Sequence, residues 1–288
     1  MGIFSLSTGA LLDLAMAPWS GKGTGEHTLL RQLMHVFKKD DIVIADAYYA
    51  SFFLIARLIK MGVDVVFPQH ASRDNDFRAG KRLGKGDHLV EWKKPARPKW
   101  MSKEEYADFP KTIAIRETKI ISTRAGFRSK SRVIVTTFID KKNVTPYDLG
   151  ELYSYRWFVE LNLRSVKETM RMDILRCKTP EMVRKEIWAH ILAYNLVRKV
   201  MLQSAIIHKL NPREMSFKLA LQTISAFRQA GILSENNHAL YTTFLRVIAS
   251  RKTGQQKRHI QRVVKRRPKA FPRMQKPRAL YHKEEKVS

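Results

Sequence analysis

Four residues near the middle of the chain combine types and spacings that suit phosphoryl chemistry. In the stretch from Glu151 to Arg176, Tyr153, Arg156, Glu160 and Lys167 sit at offsets of three, seven and fourteen residues from the first. At about 100° per residue of an α-helix, the four project within an arc of roughly 60°. A carboxylate flanked by cations on one helix face suits metal coordination beside a phosphate chain, because the cations hold phosphates while the acid holds a divalent ion. A solvated charged face is the bland alternative. Trp157, Phe158, Leu161 and Leu163 weaken it by leaving this helix few polar positions elsewhere.

A second acid stands far upstream. Asp41-Ile-Val-Ile-Ala-Asp46 is a short apolar run ending in a carboxylate. It reads as a buried strand with Asp46 at its carboxyl end, where ligands of α/β sheets gather. An aspartate in that position can equally cap the element that follows.

The elements that must position these residues can be placed by pattern. Residues 2–17 read as two strands turning around Ser7-Thr8-Gly9. Leu29, Leu30, Leu33, Met34 and Phe37 recur at helical spacing after a glycine-rich loop. That loop, Pro18 to Gly25, lacks the spacing of a phosphate-binding loop. Ser51 to Met61 reads as a helix, and Gly62 caps it before the strand Val63–Phe67. This strand–helix–strand order argues for a parallel portion of sheet. Thr145-Pro146-x-Asp148 and Thr179-Pro180-Glu181 both carry helix-start chemistry. The second opens a long helix to about Leu210, with Trp188, Ile191, Leu192, Leu196 and Val200 as its expected apolar stripe. Further helices are expected near 215–230 and 236–250.

Between His70 and Lys130 the character changes. Basic residues, Arg73 among them, accumulate amid Gly and Pro, with Trp92 and Trp100 interleaved. Short strands at 89–92, 112–117 and 119–123 suggest a β-rich insertion. Its cations would track phosphates, Arg73 included, and Trp92 or Trp100 could stack on an unpaired base. A tryptophan that packs the insertion is the competing reading.

Composition bounds the rest. At 288 residues and 44% hydrophobic, the chain can bury a sizeable core. Its net charge of +28 imposes self-repulsion that a polyanion would offset, most commonly nucleic acid. No apolar run of about 18 residues and no lipidation motif supports a membrane role. The single cysteine, Cys177, excludes an intramolecular disulfide and a cysteine zinc cluster, in keeping with a reducing, cytoplasmic setting.

The four-residue signature, Tyr153-x2-Arg156-x3-Glu160-x6-Lys167, resembles that of DDE transposases of bacterial insertion sequences, family 4. Ser20 to His27, Ile44 to Phe53 and Leu192 to Arg198 resemble the same family, and the likeness covers roughly residues 1–250. It implies an α/β, ribonuclease H-like mixed sheet flanked by helices. The core would comprise 1–68 and 131–210, split by the basic β-rich insertion at 69–130. C-terminal helices at 211–250 and a basic, disordered tail at 251–288 would follow. It also implies metal-dependent cutting of transposon ends and strand transfer into target DNA. Asp46 and Glu160 would be catalytic metal ligands for two Mg2+ or Mn2+ ions. Tyr153, Arg156 and Lys167 would contact the phosphates of double-stranded DNA, with two copies pairing on it.

One departure from the family matters. The family's first catalytic aspartate lies on the central strand of the sheet, and nothing upstream of Asp46 replaces it; Asp13 sits in the outer strand pair. A sheet without its central strand leaves neighbouring strands with unpaired backbone groups, each costing about 1–3 kcal/mol when buried. Residues 1–288 alone are then expected to be inactive and poorly folded, or completed by a segment from another reading frame. A gap or open edge is expected where the strand belongs. The alternatives are a non-catalytic, basic nucleic-acid-binding protein and a structural RNA-associated protein.

Overall fold

The computed structural model describes residues 1–121, 131–229 and 238–250. The chain opens with a hairpin, β1 (Gly2–Phe4) and β2 (Leu11–Leu14), which forms a two-stranded antiparallel sheet of its own. Gly9 closes the turn at φ +79°, a left-handed conformation that favours glycine. After α1 (Glu26–Gln32) come β3 (Ile42–Ile44), α2 (Phe52–Lys60) and β4 (Asp64–Pro68). β3 and β4 are parallel, as the strand–helix–strand pattern requires. Gly62, at φ +71°, makes the sharp exit from α2.

The basic insertion does not stand apart from this sheet. Its strands β5 (Lys81–Gly84), β6 (Asp87–Lys93) and β7 (Thr112–Ile121) form an antiparallel meander, with the short α3 (Lys103–Ala107) between β6 and β7. β8 (Ser131–Thr136) pairs with β7 on one side and β4 on the other. One six-stranded mixed sheet results, in the order β3-β4-β8-β7-β6-β5. The segment 122–130 and the tail from 251 lie outside the described residues.

Strand alternation sorts the core into two faces. Val65, Phe67 and Val135 face α2, packing with Ile55 and Leu58. Val66 and Ile134 face the other way, onto Leu149 and Tyr153 of α4 (Pro146–Ser154). Thr145 opens α4 with a full capping box: its hydroxyl accepts from Asp148 N–H, and the Asp148 carboxylate accepts from Thr145 N–H. A second core joins Leu11 of the hairpin to α6 (Pro180–Ile207), α7 (Phe217–Gln229) and α8 (His238–Ala249).

Two expectations need correction here. α6 does not bury Trp188, Leu192 and Leu196, which are exposed. It buries Ile191, Tyr194, Val197, Arg198 and Met201, an arc turned away from the expected stripe. The reason is polar: Tyr194 Oη donates to Gly9 O at 2.6 Å, and Arg198 Nε donates to Tyr194 Oη at 3.0 Å, so hydrogen bonds make that arc burial-competent. The second correction concerns the signature, which does not lie on one continuous helix. α4 ends at Ser154, α5 spans Trp157–Arg164, and a π-helical turn covers Ser165–Thr169. The junction is tightened by three-residue hydrogen bonds, Arg156 N–H to Tyr153 O and Val159 N–H to Arg156 O.

β3 ends the sheet on its side, pairing with β4 alone among the described residues. Between β3 and the hairpin runs a cleft of about 1180 Å3.

Candidate active site

Asp46 follows β3 directly, so the parallel strand delivers its carboxylate to the sheet's carboxyl end. It caps a 3-10 turn, Ala47–Tyr49, accepting from Tyr48 N–H through Oδ1 at 2.9 Å. Capping and ligand roles are compatible, because a carboxylate has lone pairs to spare and Asp46 is solvent-exposed. Tyr49, in the same turn, donates to Glu26 Oε2 at 3.0 Å, pinning the turn to α1. Burial first, then this hydrogen bond to Glu26, pushes the Tyr49 phenol up, so it remains a donor.

Glu160 and Arg156 come from α5 and its N-terminal junction. Arg156 Nη2 donates to Glu160 Oε1 at 2.5 Å, one helical turn apart. Burial works against the Arg156 charge, but the hydrogen bond to Glu160 and the proximity of Tyr153, Glu160 and Asp46 outweigh it and hold the guanidinium above its ordinary value. Asp46 and Glu160 therefore both act on one arginine, and both line the cleft beside β3. Lys167 lines the same cleft from the π-helical turn, and Arg184 joins it from α6.

Tyr153 differs from its expected role. It is 8% exposed and packs in the core against Val66 and Leu149, with burial raising its phenol against the influence of Arg156 and Arg132. At that exposure the phenol presents little surface to a phosphate. Arg132, on β8, lies 5.2 Å above the Tyr153 ring. Its distance in sequence from the signature hid it.

The aromatic candidates separate. Trp92 is 3% exposed, its Nε1 donates to Glu117 Oε1 at 2.8 Å, and Arg73 covers its ring at 3.5 Å. Neither face is left for a base, which corrects the stacking expectation for Trp92, and Arg73 is drawn from the surface with it. Trp100 is 52% exposed. Arg31 lies 4.1 Å over its ring, and the two border a recess of about 240 Å3 with His27, Phe53 and Arg57. Trp157, exposed beside Arg156, escaped the sequence reading because it counted there only as an apolar residue.

The implied divalent ion can be tested against this geometry. Among the described residues no cluster of three or more His, Cys, Asp or Glu side chains is placed to hold a metal. Magnesium usually takes one or two carboxylates, completing its shell with waters and phosphates. Asp46 and Glu160, both oxygen donors lining one cleft, are of the type and number that one such ion takes from a protein. They do not by themselves fit a pair.

An acid at a parallel-strand end and a helix-borne glutamate thus line one cleft together with Arg156, Lys167 and Arg184. The family model for the transposase DDE domain matches residues 3–196, and the chain belongs to that family. It is similar to transposase InsG for insertion sequence element IS4 from Escherichia coli K12, at 28% identity over 270 residues. That alignment covers 92% of this chain and 57% of InsG, so the chain spans little more than half of the relative it matches. Weaker likeness, 26% over 97 residues, reaches the putative transposase InsL for IS186A and the transposase for IS421, both from Escherichia coli. Each of these alignments covers 31% of this chain and 26% of the relative. Among the described residues no helix is long and apolar enough to cross a membrane.

Proposed function

We propose that this chain supplies the DNA-gripping and metal-holding surface of an insertion-sequence transposase, which cuts transposon ends and transfers strands into target DNA. The observation that carries this reading is the convergence of Asp46 and Glu160, from remote parts of the sequence, on Arg156 and one cleft. Asp46 and Glu160 hold Mg2+ or Mn2+; the bound ion supplies Lewis-acid polarisation of a scissile phosphate and a more acidic attacking hydroxyl. Arg156 and Lys167 grip the phosphates flanking the cut. Tyr153 and Arg132 hold Arg156 in place from below. Trp100, with Arg31, offers an unpaired base a stacking platform in a cationic recess.

With two carboxylates the chain alone grips DNA and does not cut it. Cutting requires a further acid at the cleft and two copies paired on duplex DNA. The experiment is a nicking and binding assay on duplex carrying the ends of the element that encodes this chain. Glu160→Ala should leave duplex affinity within about twofold, while any nicking, alone or with added polypeptide from a full-length relative, should vanish. The second reading, a non-catalytic DNA-binding protein, draws on the Arg156–Glu160 ion pair, which occupies one of the two acids. It predicts that Mn2+ does not compete for Glu160.

A further inference from the structure

Two arginines are packed together without an acid to match them. Arg198 of α6 is 6% exposed, and Asn162 of α5 is wholly buried. Asn162 Oδ1 accepts from Arg198 Nη2 and from Arg213 Nη1, each at 3.0 Å. Two guanidiniums that share one acceptor repel each other across it, and an amide oxygen carries no formal charge to offset them. Their other hydrogen bonds among the described residues end on neutral groups: Tyr194 Oη, Met201 Sδ and Phe158 O.

The neighbours supply no charge either. Burial holds the Tyr194 phenol above its ordinary value against the pull of both arginines, so it stays neutral. The rings of Phe158 and Phe217 lie 4.6 Å from Arg213 and 4.9 Å from Arg198, and a ring face attracts a cation without neutralising it. What the cluster has in excess is donors. Arg213 Nε and Asn162 Nδ2 are buried without a partner, and Arg198 Nη1 has only the Met201 sulfur at 3.9 Å. Buried donors of this kind are rare in native proteins and commonly mark a bound water or ion. A water satisfies donors and leaves both charges standing, whereas an anion answers both needs. Gly9, at φ +79°, closes one side so tightly that a Cβ there would meet Arg213 Nη1 at 1.9 Å and Arg198 Cζ at 3.0 Å. So enclosed a place favours a single-atom ion over a bulky oxyanion such as sulfate.

We propose that Arg198, Arg213 and Asn162 form a buried receptor for one small monovalent anion, a halide such as chloride. The ion accepts from the donors left over and halves the net charge of the arginine pair. It fastens three parts of the chain at one point. Arg213 comes from the 3-10 turn Pro212–Glu214, Asn162 from α5, and Arg198 from α6, whose Tyr194 holds the hairpin through Gly9 O. Asn162 shares α5 with Glu160, so the anion is a structural counter-ion for the helix that carries that acid. The proposal stands on the paired guanidiniums and the orphan donors, and it does not require the nuclease reading.

The test follows the thermal midpoint of the full chain as sodium chloride replaces sodium gluconate at constant ionic strength, which keeps screening of the basic surface fixed. The parent midpoint should rise by about 3–5 °C as chloride reaches about ten times its dissociation constant. Asn162→Asp carries its own counter-charge and Arg213→Met removes one cation, so the midpoint of each should stay flat. Any advantage of Asn162→Asp over the parent should accordingly shrink as chloride increases. The NMR line width of chloride gives a second reading that needs no unfolding. The parent should broaden the signal beyond either variant, and added bromide should reverse that excess. A parent midpoint indifferent to chloride would overturn the proposal. An equal rise in parent and variants would trace the effect to the basic surface and overturn it too, as would equal line widths. Where one variant fails to fold, the other supplies the comparison.

Discussion

Arg156 donates to Glu160 at 2.5 Å on the wall of the cleft that also carries Asp46. The cation thus stands where a metal ion would compete for the same carboxylate. The pair is partly exposed, so solvent screens it and its worth is about 0.2–1 kcal/mol. Arg156→Met should therefore raise Mn2+ affinity by roughly twofold to fivefold while weakening duplex binding. Isothermal titration with Mn2+ and with DNA reads both. A loss of Mn2+ affinity would mean that Arg156 organises the acids instead of blocking them.

Asn162 carries an electrostatic burden of a different kind. Its Oδ1 accepts from Arg198 Nη2 and from Arg213 Nη1, each at 3.0 Å, while its own Nδ2 and Arg213 Nε lack partners. Burial first, and the neighbouring Arg198 next, pushes the Arg213 guanidinium down to about 10. Two guanidiniums sharing one neutral oxygen are under-compensated. Asn162→Asp supplies the counter-charge and removes the orphan donor, so it should stabilise by about 1–2 kcal/mol. The thermal midpoint would then rise by a few degrees, roughly 2–4 °C per kcal/mol in a chain of this size. A fall in the midpoint would show that the site tolerates its charge by other means.

His27 sets an acid limit on the site. Burial, the largest influence, lowers its pKa, and its Nε2 bonds Tyr48 O at 3.0 Å beside Asp46. A base with a lowered folded value favours the folded state while neutral. Its stabilising contribution is therefore complete above the unfolded value of about 6.5 and is lost progressively as pH falls below it. His27→Gln should flatten that part of the stability–pH profile between about pH 7 and 5. An unchanged slope in chemical denaturation across that range would remove His27 as the cause.

The two tryptophans of the insertion should respond oppositely. Trp92→Ala empties a core site, takes one donor from the buried Glu117 and uncovers Arg73, so the cost should reach about 3–5 kcal/mol. Trp100→Ala should barely change stability and should weaken single-stranded DNA binding by about 1–3 kcal/mol. Denaturant titration and fluorescence anisotropy distinguish them. Equal affinity of Trp100→Ala and the parent would withdraw the stacking role.

Local signals were the legible ones. The Gly9 turn, the Gly62 exit and the Thr145–Asp148 box each depend on a few adjacent residues, and each stands where expected. The Asp46 strand end was readable because an apolar run stops at an acid. The buried arc of α6 was not, because apolar periodicity favoured Leu192 and Leu196 over an arc containing Arg198, whose partners Tyr194 and Asn162 are remote or polar. The α4–α5 junction contains neither glycine nor proline, so nothing local announced it. β5 was masked by its lysine and arginine content, and Trp92 by a partner, Glu117, lying on another strand. Beside the candidate acids, Arg132 and Glu26 could be found only through packing.

The central claim, that Asp46 and Glu160 form one metal-holding site, is tested most directly by Mn2+ binding followed by electron paramagnetic resonance. The wild-type chain should bind one ion, and Asp46→Asn and Glu160→Gln should each weaken it by about tenfold or more. The double substitution should add little beyond either single one, since both remove ligands from the same ion. Unchanged affinity in either single variant, or fully additive losses in the double, would contradict the account.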